Sequence, residues 1–207
     1  MGVKSPLKPT PSLALGSSDM TLLELVDAYC SVMNDGMQRD PILVTKILDR
    51  DGNVIYDCDV DVPQAHQAMS YKTAFYMQRL LHSGVYEGGT SSSLRRYVQS
   101  SDTEFGGKTG TSSNHSDAWF VGVTPNLVGA AWVGGEYRCI HFRTGALGQG
   151  SRTALPIMGY FLDKVLKDSR FPQYHGKFSA ARESISPDTY NGAAYYPQRD
   201  TIATPAA

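Results

Sequence analysis

The chain has 207 residues, 41% of them hydrophobic, and its 19 basic and 20 acidic side chains leave a formal net charge of −1. That balance provides no general attraction to nucleic acid or to an anionic membrane surface. The longest weakly polar run, Leu127 to Gly135, is far too short to span a bilayer, while the apolar content suffices for one domain with a buried core. At the N-terminus, Pro6 stands where a myristoylation signal needs Ser or Thr. No continuous apolar run follows the first lysines, so no secretory signal is expected.

Pro6, Pro9 and Pro11 make the first stretch an extended arm. Thr21-Leu22-Leu23-Glu24 is a capping-box pattern that starts a helix. Leu22, Leu25, Val26, Tyr29, Val32 and Met33 recur at helical spacing, and Gly36 is its natural stop. Ile42 to Leu48 and Val54 to Tyr56 are strand-like runs around the turn dipeptide Asp51-Gly52, which predicts a hairpin. A second helix is expected over 70–82, with Ala74, Met77, Leu80 and Leu81 inward and Gly84 ending it.

Gly88-Gly89-Thr90 and the serines after it read as a flexible link. Three short strands follow, Phe105 to Thr111, Ala118 to Thr124 and Leu127 to Gly134, with Pro125-Asn126 turning between the last two. The last two are apolar at nearly every position, so their sheet should be covered on both faces or mostly buried. A final helix is expected over 154–166. Beyond Phe171 there is no Leu, Val or Met, and four prolines interrupt the sequence. The expected organisation is therefore one domain portion over 1–168 and a disordered tail over 169–207.

Cys30, Cys58 and Cys139 lie far apart with no C-x-x-C spacing. That argues against a disulfide framework and a structural zinc site, and neither a metal nor a cofactor is expected. His115 and Asp117 could suggest an acid/base pair, but they sit in a turn. His115 is read as a surface residue and Asp117 as a pin for that turn, while Trp119 and Trp132 are read as core or sheet-packing residues.

The informative segment is Gly106-Gly107-Lys108-Thr109-Gly110-Thr111. A phosphate loop would need a glycine at position 102, which is Asp, and a helix after the motif rather than two strands. On a strand, Lys108 and Gly110 point one way and Thr109 and Thr111 the other. A cation and two hydroxyls at an exposed strand edge suit a peptide ending in a carboxylate, whose backbone can pair with the strand. Gly110 has no Cβ and permits close approach.

In this context the segment resembles the Lys-Thr-Gly signature of penicillin-binding proteins and class A β-lactamases. Asp117 to Gly122, Trp132-Val133-Gly134, Pro11 to Gly16, Thr21 to Glu24 and Ala28-Tyr29 with Asn34 and Gly36 resemble bifunctional (class A) penicillin-binding proteins in the same order. The resemblance covers about 5–166. It implies an α+β, partial penicillin-binding or serine β-lactamase-like transpeptidase fold, with an antiparallel sheet packed with helices. It also implies that Lys108 supports proton transfer, that Thr109, Gly110 and Thr111 hold substrate, and that the Thr111 N–H is half of an oxyanion hole. The implied partners are a peptidoglycan stem peptide ending in D-Ala-D-Ala and β-lactams, with no nucleic acid.

That chemistry also needs a serine in a helical Ser-x-x-Lys and a Ser-x-Asn loop. The formal Ser-x-x-Lys at Ser5 to Lys8 is flanked by prolines, and the formal Ser-x-Asn at Ser112 to Asn114 abuts the Lys-Thr-Gly strand. The expectation is a truncated part of a D,D-transpeptidase that is inactive alone. Complete family members are anchored in the bacterial inner membrane with this domain outside the cytoplasm; the chain itself shows no signal or anchor. The alternative is a non-catalytic module that binds D-Ala-D-Ala-type termini.

Overall fold

The structure, a computed structural model, describes residues 1–60, 62–100, 102–182 and 185. A short 3-10 turn at Pro11–Leu15 precedes helix α1, Leu22–Met33. Thr21 and Glu24 form the complete capping box. Glu24 also accepts the backbone N–H groups of Lys4 and Ser5, which fastens the proline-rich arm to the helix start. The helix buries Asp27, Ala28, Ser31 and Val32 and leaves Leu22 exposed, so its inward face is more polar than the periodicity suggests. Asp27 is satisfied by the Gln38 side-chain amide at 3.1 Å. Gly36 then turns the chain with a φ of 86° that a side chain would resist.

Strand β1, Met37–Gln38, pairs with β4, His66–Gln67. Between them lies the hairpin of β2, Lys46–Leu48, and β3, Val54–Asp57. Residues 42–45 do not join β2, because β3 offers them no ladder beyond Cys58.

Helix α2, Tyr71–Tyr86, starts at the Ser70 cap and runs past the expected stop. Gly84 is a contact point rather than an end: a Cβ there would lie 3.1 Å from the Gly107 carbonyl oxygen. The buried stripe is Ala74, Phe75, Gln78, Leu81 and Val85. Met77 and Leu80, expected inward, are 39% and 65% exposed because they flank that stripe. The expected flexible link contains a 3-10 turn, Ser92–Arg96, anchored by the fully buried Leu94.

The centre is an antiparallel meander of β5, Gly106–Thr111, β6, Asp117–Thr124, and β7, Leu127–Gly134, in the order β5-β6-β7. A single-turn helix α3, Gly145–Gly148, leads to α4, Ala154–Lys167. Helix α4 covers one face through Leu155, Met158 and Leu162, packed on Phe120 and Ala131. Gly122 and Gly129 face each other across β6 and β7; a Cβ on Gly122 would press on the Leu162 side chain and one on Gly129 on the Met158 side chain. Helices α1 and α2 cover the other face through Val32 and Leu81, against Val121 and Val123. This is an α+β arrangement. Strand β6 is nearly all buried as expected, whereas the outer strand β7 is mostly half-buried.

Where a tail was expected from 169, a 3-10 turn at Pro172–Tyr174 and the buried Phe178 continue the packing. Phe178 lies in the cluster with Val32, Leu81, Val121 and Val123. The remainder of that expected tail, apart from Ile185, lies outside the described residues from 183 onward.

Candidate functional site

Strand β5 is the edge of its sheet among the described residues, and its register places Lys108 opposite Val121, Gly110 opposite Trp119 and Thr111 opposite Ala118. Lys108 lies on the α1/α2 side, and Thr109 and Thr111 on the α4 side, the expected alternation. The Ser112 N–H donates to the Asp117 carbonyl, so the pair 112/117 is hydrogen-bonded within the ladder. Alternation in an antiparallel pair then directs the backbone groups of Thr111 and Thr109 away from β6, toward the open edge. In agreement, the Lys108 ammonium donates to the Thr109 carbonyl oxygen.

Each threonine hydroxyl is held by a group distant in sequence. The Thr90 and Thr109 hydroxyls are 2.7 Å apart, and the Gly150 N–H donates to Thr111 Oγ1 at 3.1 Å. An oxygen that accepts from an N–H keeps its own O–H free to donate, so Thr111 can offer a hydrogen to an incoming carboxylate. Thr109 can do the same when Thr90 donates to it. Neither Thr90 nor Gly150 was singled out from the sequence. Thr90 sat in an expected flexible link, and nothing local marks Gly150 as a partner of Thr111.

On the α1/α2 side, Lys108 borders a cleft of about 330 Å³ lined also by Tyr29, Met77, Leu80, Gly84 and Thr90. The two helical residues that fell outside the core therefore form the apolar wall beside the cation. Gly110 leaves the surface flat there, and the nearest atom to a Cβ at that position would be Trp119 Cβ, at 3.2 Å.

The β5–β6 turn is a closed polar network. The Asp117 N–H donates to Ser112 Oγ at 2.8 Å, and the Ser112 and Ser116 hydroxyls are 3.0 Å apart. Ser112 is thereby a turn residue. Asp117 accepts from the Ser116 hydroxyl at 2.8 Å and from the Trp132 indole N–H at 3.1 Å. Burial raises its pKa, but hydrogen bonds from Ser116, Trp132 and Ser112 outweigh that effect and hold it below the usual carboxylate value. It pins the turn as expected, and Trp132 packs at a ring distance of 6.3 Å from Trp119.

His115 departs from its expected surface position. It is half-buried at a φ of 60°, against Gly148 and Phe142, with Nδ1 enclosed and without a hydrogen-bond partner among the described residues. At the other end of the chain, Ser5 is not in a helix, and its hydroxyl donates to Glu24 at 2.7 Å. Among the described residues, Asp57, Cys58 and Asp59 bring three ligating atoms within 4.8 Å of one another. They lie on the hairpin, where Asp57 already pairs with Lys46 at 2.8 Å. No described helix is long and apolar enough to cross a membrane.

The family model described as the penicillin binding protein transpeptidase domain matches residues 7–135. Penicillin-binding protein 1A of Aquifex aeolicus is 35% identical over 151 residues, covering 73% of this chain and 19% of that protein. Penicillin-binding protein 1B of Vibrio cholerae is 32% identical over 144 residues, covering 69% and 18%. The chain therefore spans about a fifth of the length of these curated relatives. Among solved structures, penicillin-binding protein 1A of Haemophilus influenzae superposes with a TM-score of 0.68 at 24% identity, over 86% of this chain and 30% of that one. Penicillin-binding protein PonA1 of Mycobacterium tuberculosis superposes with a TM-score of 0.63 at 25% identity, over 86% and 50%.

Proposed function

This chain belongs to the penicillin-binding protein transpeptidase domain family, and from that premise we propose that β5 receives the D-Ala-D-Ala end of a peptidoglycan stem peptide, or a β-lactam that imitates it. The observation that carries the reading is the open edge of β5, with a cation on one side and two pre-held hydroxyls on the other. A relative from Mycobacterium tuberculosis, PonA1, has been solved in complex with penicillin V.

The roles follow from the chemistry. An extended peptide pairs its backbone with the edge groups of Thr109 and Thr111. Its terminal carboxylate takes hydrogens from the two threonine hydroxyls, while the Lys108 charge on the other side of the strand supports proton transfer. A serine hydroxyl gives its proton to the lysine of the Ser-x-x-Lys segment as its oxygen adds to the carbonyl carbon of the D-Ala-D-Ala bond, the carbonyl oxygen becomes an oxyanion, and the Thr111 N–H donates to it. The terminal D-Ala amine leaves with that proton, and an acceptor amine from a second stem peptide then displaces the serine, which regains a proton from that amine. In the whole protein this takes place outside the cytoplasm, at the membrane that anchors it.

Within the 207 residues, the hydroxyl of the formal Ser-x-x-Lys is committed to Glu24 and that of Ser112 to a turn. The chain alone is therefore not acylated by fluorescent penicillin. With a helical Ser-x-x-Lys segment and a Ser-x-Asn loop of a class A relative joined ahead of residue 1, labelling appears, and Lys108→Ala slows it by about two orders of magnitude, the scale of one lost electrostatic contact in the transition state. Labelling unchanged by Lys108→Ala rejects the role of that lysine. Calorimetry of the unjoined chain separates the second reading, because only a self-sufficient binding module captures a D-Ala-D-Ala peptide without the added segment.

A further inference from the structure

The β2–β3 hairpin stands apart from both apolar clusters, neither of which includes a described residue between 40 and 60. Its strands pack chiefly on each other. A two-stranded ribbon is marginal in water unless another surface covers it. Yet Leu43 is 77% exposed, Ile55 66% and Val60 81%, with Val44, Ile47 and Leu48 also exposed. Alternation puts Ile47 and Tyr56 on one face and Leu48 and Val54 on the other, so each face carries apolar side chains. So many exposed apolar side chains gathered on one hairpin mark a contact site.

Charge selects the partner. Residues 40–60 hold five aspartates against one lysine and one arginine, whereas the whole chain is close to neutral. Lys46 is neutralised by Asp57 at 2.8 Å, and Asp49 is fixed in the turn by the N–H groups of Asp51 and Asn53, both at 2.8 Å. Asp51 at the tip and Asp59 beyond β3 project exposed carboxylates beside the apolar side chains. Such a surface repels anionic lipid headgroups and nucleic acid, and attracts lysine and arginine.

Geometry selects the edge. The register between β2 and β3 shifts so that Ile55 is an extra residue on β3, and a bulged edge resists further pairing. The outer edge of β2 is regular and has no strand beside it among the described residues. We propose that the hairpin, through the outer edge of β2, is a docking site for an extended segment of another protein in which apolar and basic residues alternate. The apolar side chains of the segment lie over Ile47 and Tyr56 on one face, and the basic ones, on the opposite face, meet the aspartates.

The test uses the full 207-residue chain and a capped ten-residue peptide of alternating valine and lysine, titrated by fluorescence anisotropy. Saturable one-to-one binding is expected, weakened at least tenfold by a peptide with the same residues segregated into two blocks. Ile47→Lys is expected to reduce affinity at least tenfold, and Asp51→Asn with Asp59→Asn severalfold with a shallower salt dependence. Thermal unfolding of these variants stays at the parent midpoint, because the hairpin lies outside both clusters. Ile47→Thr, which stays β-branched, reduces affinity without altering the circular dichroism spectrum. The proposal is overturned by absent saturation, by equal binding of a valine–glutamate peptide, or by variants that bind like the parent. It is also overturned by concentration-dependent dimers that Ile47→Lys abolishes, which would make a second copy the occupant, or by sedimentation with phosphatidylglycerol vesicles.

Discussion

Glu24 shows how much one exposed carboxylate can organise. Hydrogen bonds from the Ser5 hydroxyl, the Thr21 N–H, and the Lys4 and Ser5 N–H groups hold its pKa down at about 2, against 4.5 for a free glutamate. A group whose folded pKa is depressed stabilises the fold above the unfolded value, and that stabilisation is lost as pH falls through the folded value. Thermal midpoints measured from pH 5 down to pH 2 are therefore expected to fall with a component that Glu24→Gln removes. A variant with the parent's pH slope would show that Glu24 makes no such contribution. The residues of the candidate site act in the same way, through the partners that orient them. Thr90→Val leaves the Thr109 hydroxyl without its companion at 2.7 Å. In the joined, labelling-competent protein it is expected to slow acylation severalfold with little effect on the unfolding midpoint. Loss of one neutral hydrogen bond costs about 1 kcal/mol.

At the scale of elements, the site depends on how closely α2 lies on β5. Gly106 is where the helix crosses the strand, and a Cβ there would come within 2.8 Å of the Leu81 carbonyl carbon. A backbone obstacle cannot rotate away, so Gly106→Ala must push the helix off the strand, at a cost of about 1–3 kcal/mol. Chemical denaturation should show that loss, with Gly110→Ala costing less, because its nearest contact, at 3.2 Å, is a side-chain carbon. Equal stability of the two variants would contradict the packing described. The same packing explains why α2 continues past Gly84 to Tyr86. Glycine ends many helices, but Gly84 serves instead as the flat spot facing Gly107.

The whole molecule is closed by the segment after α4. Phe178 fills the cluster between α1, α2 and the sheet. Its N–H donates to Glu104 at 2.9 Å, and the Asn126 side chain donates to the Gln173 carbonyl at 3.0 Å. Arg182 then reaches Asp35 at 3.1 Å and lies 3.6 Å over the Tyr71 ring. Phe178→Ala is accordingly expected to destabilise the chain by about 3 kcal/mol, a loss typical of a buried phenylalanine. Calorimetric unfolding would read it, and an unchanged transition would mean that the sheet is complete without this segment.

The sequence alone determined what local physics determines. The capping box started α1, Pro125-Asn126 turned β6 into β7, and strand alternation separated Lys108 and Gly110 from Thr109 and Thr111. The order of motifs around Lys108 was enough to bring out the family. Tertiary structure decided which apolar residues are core and what holds each hydroxyl. Met77 and Leu80 have the helical spacing of buried residues, yet the face that α2 buries, through Ala74, Gln78 and Leu81, leaves them lining the cleft beside Lys108. Thr90 meets Thr109 across 19 positions and Gly150 meets Thr111 across 39, separations at which no local periodicity carries a signal. Phe178, in a stretch poor in apolar residues, is buried because the fold brings it among Val32, Leu81, Val121 and Val123 of two helices and a strand.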